Sequence, residues 1–449
     1  MGMKKKNYVF LLFCLLLLGG CNASSLLKEV PRDFSVTGPG PVGEQGSGGQ
    51  RNIENIRRPE TGQSSASAPG SDAAQGGKDA AQGGKDVAQG EQDAARKESF
   101  LYDGAFEYSA GTLSEAELTW YEDIKRTLGS FGEKERLDAA ALAAGCDEED
   151  IDRIFQCVLN DHPELFYVEG YSYTRYTRGD KITAIAFSGT YSIDRETAEG
   201  RRKEIEAAAE KILSGADEEA DQYAKVKYVY DTIIRETDYD PASPDNQNVY
   251  SVFVNNRSVC QGYAKAIQYL LNRLGVECTL VLGTVESGEG QEGHAWNLVK
   301  VDGEYYYVDA TWGDASYTQQ DGETENVGIP EINYDYLNVT TEELLKTHTL
   351  GENIPMPQCT ATEANYYFRE GALFTSYDRE QMQGLFDRAE EQGREDVTVK
   401  CADWECYTEV LTELVDNHEI FRYLGESGAT VAYAKNDNQM SLTFWVTNE

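Results

Sequence analysis

The chain has little positive charge for its size, with 40 lysines and arginines against 78 aspartates and glutamates over 449 residues and a formal charge of -38. Such an excess repels phosphate backbones and anionic lipid headgroups, which argues against nucleic acid as a partner. Histidine is scarcer still, at His162, His294, His348 and His418 only. These four are scattered, and neither a His-Glu-x-x-His run nor a paired Cys-x-x-Cys run occurs, so no metal site and no cofactor is expected. Nine cysteines are too few for a disulfide scaffold: Cys14, Cys21, Cys146, Cys157, Cys260, Cys278, Cys359, Cys401 and Cys406. Whether Cys401 and Cys406 pair or remain thiols is left open by the sequence. The apolar run Val9 to Leu18 is too short to span a bilayer as a stable helix. An apolar content of 40% over this length nevertheless suffices for a sizeable core and more than one domain.

That apolar run follows Lys4, Lys5 and Lys6 and ends Leu18-Gly19-Gly20-Cys21, the layout of a secretory signal. Small residues before a cysteine resemble the bacterial lipobox, in which that cysteine is lipidated and becomes residue one. We therefore expect residues 1–20 to be a signal peptide and Cys21 to anchor the mature protein outside the bacterial cell membrane. Removal of residues 1–20 takes away three lysines and no acid, so the mature chain is more acidic still. From about Pro31 to Glu98 the chain is rich in Gly, Ala, Ser, Gln and Asp and cannot bury enough to fold. Within it a seven-residue repeat begins at Asp72, Asp79, Asp86 and Asp93. Its paired glycines and missing a/d hydrophobes exclude a coiled coil. Residues 21–99 read as a flexible, lipid-anchored tether.

Order begins near Phe100. Ser114 and Glu117 form a capping box ahead of Leu118, Tyr121, Ile124 and Leu128, with Gly129 as a stop. Helices are further expected at 148–159, 198–213 and 218–236, and strands at 166–173 and 182–193. His162, just past a helix end, reads as a turn or capping residue. A C-terminal region of alternating strand and helix has strands at 397–401, 429–434 and 440–446 and a helix near 407–418.

The chemistry concentrates between Asn248 and Asp314. Cys260 opens a helix whose Ala264, Ile267, Leu271 and Leu274 recur at helical spacing and which Gly275 ends. A thiol in the first turn feels the positive end of the macrodipole, which favours the nucleophilic thiolate, and the free amides there can hold an oxyanion. A strand at 276–282 and an acidic, glycine-rich loop at 286–293 precede His294. From His294 to Val301 and from Glu304 to Asp309 the pattern is a β-hairpin about an Asp302-Gly303 turn. A two-residue turn sets Val301 against Glu304, Asp309 against Trp296 and His294 against Thr311. His294 and Asp309 are then diagonal neighbours on one face, about 7 Å apart at the backbone. Asn297 falls on the other face, so Asp309 rather than Asn297 orients the imidazole; an odd-length loop would reverse that choice. A thiol, an imidazole and a carboxylate are the parts of an acyl-transfer site.

Three ordered motifs, Val259-Cys260-Gln261-Gly262-Tyr263-Ala264, His294-Ala295-Trp296-Asn297 and Asp309-Ala310-Thr311-Trp312-Gly313-Asp314, resemble the bacterial transglutaminase-like superfamily. The resemblance covers about residues 220–350, including Tyr334 to Val339 and Leu345 to His348. It departs at Ser258, where the family often has glycine, and in the length of the loop before His294. It implies an α+β, papain-like core, with the cysteine helix packed on an antiparallel sheet that bears His294 and Asp309. An N-terminal region of helices and strands at 100–215, the transglutaminase-like domain at 216–355 and a small C-terminal α+β domain at 360–449 make up the expected organisation. Cys260, His294 and Asp309 are the catalytic candidates; Gln261, Trp296 and Trp312 are the candidates for substrate or oxyanion contacts. The implied chemistry is a thioester on Cys260, formed from a protein or peptide amide at the cell envelope and resolved by an amine or by water. The chain is then an acyltransferase or a cysteine peptidase. The other reading is a surface-displayed binding module of the same fold with an idle thiol.

Overall fold

A computed structural model describes residues 12–14, 99–178, 181–287, 290–314, 331–394, 396–424 and 430–447. Cys21, the tether and all of the signal but Leu12–Cys14 lie outside the described residues. Among the described residues no helix is long and apolar enough to cross a membrane. The chain divides into two compact units, Ser47–Glu204 and Ile205–Glu449, the latter grouped with Met1–Gly46.

In the N-terminal unit, helix α1 (Glu115–Gly129) starts at the capping box: Ser114 Oγ accepts the Glu117 N–H, and the Glu117 carboxylate accepts the Ser114 N–H at 2.8 Å. Its buried stripe of Trp120, Tyr121, Ile124 and Leu128 meets helix α2 (Asp150–Asp161), which buries Ile151, Ile154, Phe155 and Val158. Strands β1 (Val168–Arg178) and β2 (Lys181–Tyr191) form an antiparallel hairpin on which Tyr171 stacks against Phe187. One short helix, Ala139–Ala144, carries no hydrophobic stripe long enough to be read from sequence; Asp138 caps it and Gly145 ends it with φ of 119°.

The second unit holds helix α3 (Gln222–Glu236), capped by Asp221 and burying Tyr223, Val226, Tyr230, Ile233 and Ile234. Helix α4 (Cys260–Arg273) packs on a four-stranded antiparallel sheet made of β3 (Cys278–Ser287), β4 (Gly290–Val301), β5 (Glu304–Val308) and β6 (His348–Leu350). The strand order is β6-β3-β4-β5. Asp302 and Gly303 both have positive φ, 53° and 92°, as a two-residue type I′ turn requires, and Val301 pairs with Glu304 and Asn297 with Val308. The register read from sequence holds through Val308 and then stops. Asp309 leaves the strand to cap the short helix Ala310–Gly313, so Thr311 is helical and does not face His294. His294 instead faces Gly283 on β3. The loop expected at 286–293 is largely strand: β3 and β4 pair out to Ser287 and Gly290, and residues 288–289 lie outside the description.

A C-terminal sheet follows, with β7 (Asp396–Cys401), β8 (Thr430–Asn436) and β9 (Ser441–Thr447) in the order β8-β9-β7, between Leu12–Cys14 on one edge and Leu373–Phe374 on the other. The helix expected near 407–418 begins earlier, at Trp404, where Asp403 caps it, and passes at Thr412 into a wider turn. Helix Arg379–Glu391, with Asp378 as its cap and Met382, Leu385, Phe386 and Ala389 buried, was not singled out in the sequence. This region falls in the same compact unit as the cysteine helix. Buried Asp335 shows why, because its carboxylate accepts from Tyr367 Oη (2.9 Å), Asn436 Nδ2 (2.8 Å) and Ser441 Oγ (2.8 Å). A buried charge must be satisfied, and its donors come from beyond residue 360. Cys146, Cys157, Cys260, Cys278, Cys359, Cys401 and Cys406 are free thiols.

Candidate active site

Helix α4 places Cys260 in its first turn. Its N-cap, Val259, brings no side-chain hydrogen bond, so no side chain closes the amides around the thiol. Upstream, Ser258 is fully buried, and its Oγ donates to the Asn246 carbonyl (2.6 Å) and meets Ser251 Oγ (2.7 Å). That hydroxyl fills the space a β-carbon at Gly262 would need, which explains the glycine in Cys260-Gln261-Gly262. One face of the helix packs through Ala264 on Leu280 and Ala295, with Cys260 and Leu282 at the margin. Cys260 is half-buried, whereas Cys146, Cys157, Cys278, Cys359, Cys401 and Cys406 are buried.

Asn297 points to this helix, donating from Nδ2 to the Ala264 carbonyl at 2.9 Å, and so is not available to the imidazole. His294 meets Asp309 directly. Its Nε2 lies 2.7 Å from Asp309 Oδ2, with His294 8% and Asp309 1% exposed. Burial alone would lower the imidazole's pKa, but the charges of Asp309 and Cys260 and hydrogen bonds to both push it up to about 10. Burial would raise Asp309, yet His294 and His348 outweigh it and hold the carboxyl well below the usual range. With Nε2 committed to Asp309, Nδ1 is the nitrogen left for the thiol.

The other oxygen is equally constrained. Asp309 Oδ1 accepts the backbone N–H groups of Thr311 (2.9 Å) and Trp312 (3.1 Å), the cap of the short helix. Oδ2 accepts a second imidazole, His348 Nε2, at 3.0 Å. His294, Asp309 and His348 offer ligand atoms within 4.8 Å of one another, the set among the described residues that could hold a metal. The nitrogen–oxygen separations of 2.7 and 3.0 Å are hydrogen-bond lengths, shorter than the roughly 3.4 Å ligand–ligand edge around a tetrahedral ion with bonds of about 2.1 Å. The two imidazoles are donors to one carboxylate.

Aromatic rings enclose the group. Trp296, 1% exposed, stacks on His294 with centroids 5.8 Å apart. It backs the imidazole on the sheet side. Gly283 allows this, since a β-carbon there would strike the Trp296 ring and the Thr349 carbonyl. Trp312 is half-buried, 6.3 Å from the His294 ring and 5.0 Å from His348. Gln261, also half-buried, follows the thiol on α4. Two residues were missed. Tyr239 stands close enough to Cys260 that, after burial, the thiol's charge is the main influence raising its phenol. His348 was noted only as part of a resemblance; nothing in periodicity links it to Asp309, and only the pairing of β6 with Val285 to Gly283 brings it in.

Comparison with known proteins finds similarity over part of the chain. Residues 206–310 match the family model of the transglutaminase-like superfamily, a stretch that contains Cys260 and His294 and ends one residue past Asp309. Kyphoscoliosis peptidase of Homo sapiens is 28% identical over 102 residues, covering 20% of this chain and 15% of that protein. The Mus musculus kyphoscoliosis peptidase is 37% identical over 62 residues, 12% of this chain and 9% of its own. The chain thus spans well under a quarter of the length of these relatives. A solved transglutaminase structure is 14% identical over 36% of this chain and 55% of its own, with a TM-score of 0.23, too distant for the superposition to bear on the site.

Proposed function

Taking residues 206–310 as a transglutaminase-like domain, we propose that the protein is a cysteine acyl-transfer enzyme of the cell envelope, anchored by a lipid on Cys21. The observation that carries the reading is a His294 imidazole held between the Asp309 carboxylate and the Cys260 thiol. His294 takes the thiol proton, and the sulfur attacks the carbonyl carbon of a protein or peptide amide. The oxyanion forms at the Cys260 and Gln261 N–H groups, since the Gly262 and Tyr263 amides already donate to the Val259 carbonyl. As the tetrahedral intermediate collapses, the C–N bond breaks and imidazolium His294 gives its proton to the departing nitrogen, leaving an S-acyl thioester. An amine then displaces the sulfur to form a new amide, or water does so to form an acid; His294 removes the nucleophile's proton and returns it to the sulfur. Trp312, exposed in part over the two histidines, forms a wall for the acyl group.

The test is alkylation and turnover on purified protein. Iodoacetamide should label Cys260 ahead of the other cysteines, and His294→Ala should slow that labelling. Equal labelling of all the cysteines would favour the idle binding module. A panel of glutamine donors, amines and peptides, compared against Cys260→Ala, then separates transfer from hydrolysis. Membrane retention and lipid labelling of Cys21→Ala test the anchor, which unchanged retention without lipid would overturn.

A further inference from the structure

We propose that His348 is a positioning residue for Asp309, and through it for His294, an inference that rests on the acyl-transfer reading of Cys260. The Nε2 atoms of His348 and His294 both point at Asp309 Oδ2, at 3.0 and 2.7 Å. A carboxylate oxygen has two lone-pair directions, and both are taken here; Oδ1 is held by two amides. With every direction filled by a fixed donor, Asp309 has one orientation. The His348 side chain is fully buried, so it touches no substrate and acts only through the carboxylate.

The proton on His348 is placed by what lies behind it. Asp309 is ionised and only accepts, so His348 Nε2 carries a hydrogen. Burial, which outweighs the Asp309 carboxylate, lowers the His348 pKa below its ordinary value and keeps the ring neutral, leaving Nδ1 as an acceptor. Thr347 Oγ1 donates to Nδ1 at 2.8 Å, and Tyr336 Oη lies 3.3 Å from that same hydroxyl. Gln439 hydrogen-bonds the Tyr336 phenol and is itself pinned by Lys400 Nζ (3.1 Å). The chain Gln439, Tyr336, Thr347, His348, Asp309, His294 thus runs from the turn between β8 and β9 to the thiol's base. Trp296, Trp312 and Tyr336 hold the His348 ring from three sides, with centroids 5.0, 5.0 and 5.5 Å away. Among the described residues, the ionisable groups facing His294 are Asp309, Cys260 and His348, whose ring centroid is 5.6 Å away; those facing Asp309 are the two histidines, with the Tyr230, Tyr239 and Tyr336 phenols close enough to feel its charge.

The experiment is the pH profile of Cys260 alkylation by iodoacetamide in the full chain, read together with Tm. His348→Ala should slow alkylation at neutral pH by roughly 10-fold, the usual scale for an outer hydrogen-bond partner, and move the acid-side midpoint to higher pH. His348→Gln, whose amide N–H can reach toward Oδ2, should recover most of the rate and the midpoint. A wild-type profile in folded His348→Ala overturns the proposal, as does a folded His348→Gln that behaves no better than alanine. If the alanine variant does not fold, the glutamine variant decides: a near-wild-type profile supports the role and a displaced midpoint overturns it. His294→Ala in the same assay separates the two readings. Should it leave the profile unchanged, the acyl-transfer site fails; should it slow alkylation while both His348 variants do not, only the positioning role fails.

Discussion

His162 and His294 are both buried imidazoles pressed against carboxylates, and in both burial is overcome, by carboxylates alone at His162 and by Asp309 together with Cys260 at His294, which raises the rings to about 9 and about 10 respectively. What differs is the use of the second nitrogen. His162 Nδ1 bonds Glu164 at 2.9 Å, while Nε2 lies 3.1 Å from Tyr121 Oη and 3.3 Å from Glu107. Asp161 beside it accepts the amides of Ser109 and Ala110 and the Tyr121 hydroxyl. Every partner is an acid or a phenol locked in place, so the imidazolium ties the 107–110 loop to the end of α2 and does nothing more. His294 spends one nitrogen on Asp309 and leaves the other to a half-buried thiol. A strongly shifted buried histidine therefore marks a site only when one of its nitrogens still faces a reactive group.

The largest effect should come from removing that reactive group or its base. Cys260→Ala should abolish acyl transfer, and His294→Ala should reduce turnover by at least about 1,000-fold, because members of such a unit act together. Asp309→Asn keeps the shape but loses the charge and the acceptor that fixes the His294 tautomer, at roughly 1,000- to 10,000-fold in kcat. Equal kcat for the asparagine variant and wild type would mean that Asp309 is only a helix cap. The matching change on the other side of the comparison is His162→Ala. It takes the imidazolium from Glu107 and Glu164, which keep Lys125 Nζ (2.9 Å) and the Tyr102 N–H (2.9 Å) respectively, and should cost the N-terminal unit about 1.5–3 kcal/mol by denaturant unfolding while leaving Cys260 alkylation unchanged. A change in alkylation would break the distinction between the two histidines.

Where the sequence announced the site, it did so through local rules. The capping box at Ser114 and the Asp302-Gly303 turn each depend on residues within a few positions, and both settled their elements to the register. The Asp309 contact was reached by a partly mistaken route: the hairpin register ended one residue early, yet the diagonal brought the right groups together because Asp309 turns into a helix cap beside the strand end. His348 was out of reach, since a three-residue edge strand pairs through backbone groups that any sequence supplies. That Trp296 is buried against the His294 ring was not legible, because an aromatic one position on from the histidine's neighbour gives no sign of which side of it is filled. The union of the C-terminal region with the cysteine helix rests on polar contacts to Asp335 from more than a hundred residues away, beyond any periodicity.

The pH dependence of stability sharpens the comparison further. His162 is raised to about 9 from 6.5, so its contribution is complete below about pH 6.5 and is lost as pH rises through 9. Asp161, raised by burial to about 6 from 3.8, contributes below 3.8 and loses its contribution by about pH 6. Glu107, lowered to about 2 by its hydrogen bond to His162 against burial, contributes above 4.5 and is lost as pH falls through 2. The N-terminal unit should therefore show its highest Tm near pH 4, step down by about pH 6 as Asp161 ionises, and fall again from 6.5 toward pH 9. His162→Gln should flatten the alkaline fall; a fall that persists in this variant would assign it elsewhere.

The smallest effect is expected at Ser258, which is buried beside the nucleophile but points away from the chemistry. Its hydroxyl ties Asn246 and Ser251 to the start of α4. Ser258→Ala removes that donor, yet the Asn246 carbonyl keeps the Val259 N–H at 3.0 Å and is not left bare. The cost should be about 1 kcal/mol in unfolding free energy, the net worth of an ordinary hydrogen bond. Alkylation of Cys260 should keep its wild-type rate and pH profile, because neither His294 nor the first-turn amides lose a partner. A slowed or shifted profile would instead mean that the angle of the first turn is set by this hydroxyl, and that proximity to the thiol, rather than possession of a free nitrogen or an open amide, governs its reactivity.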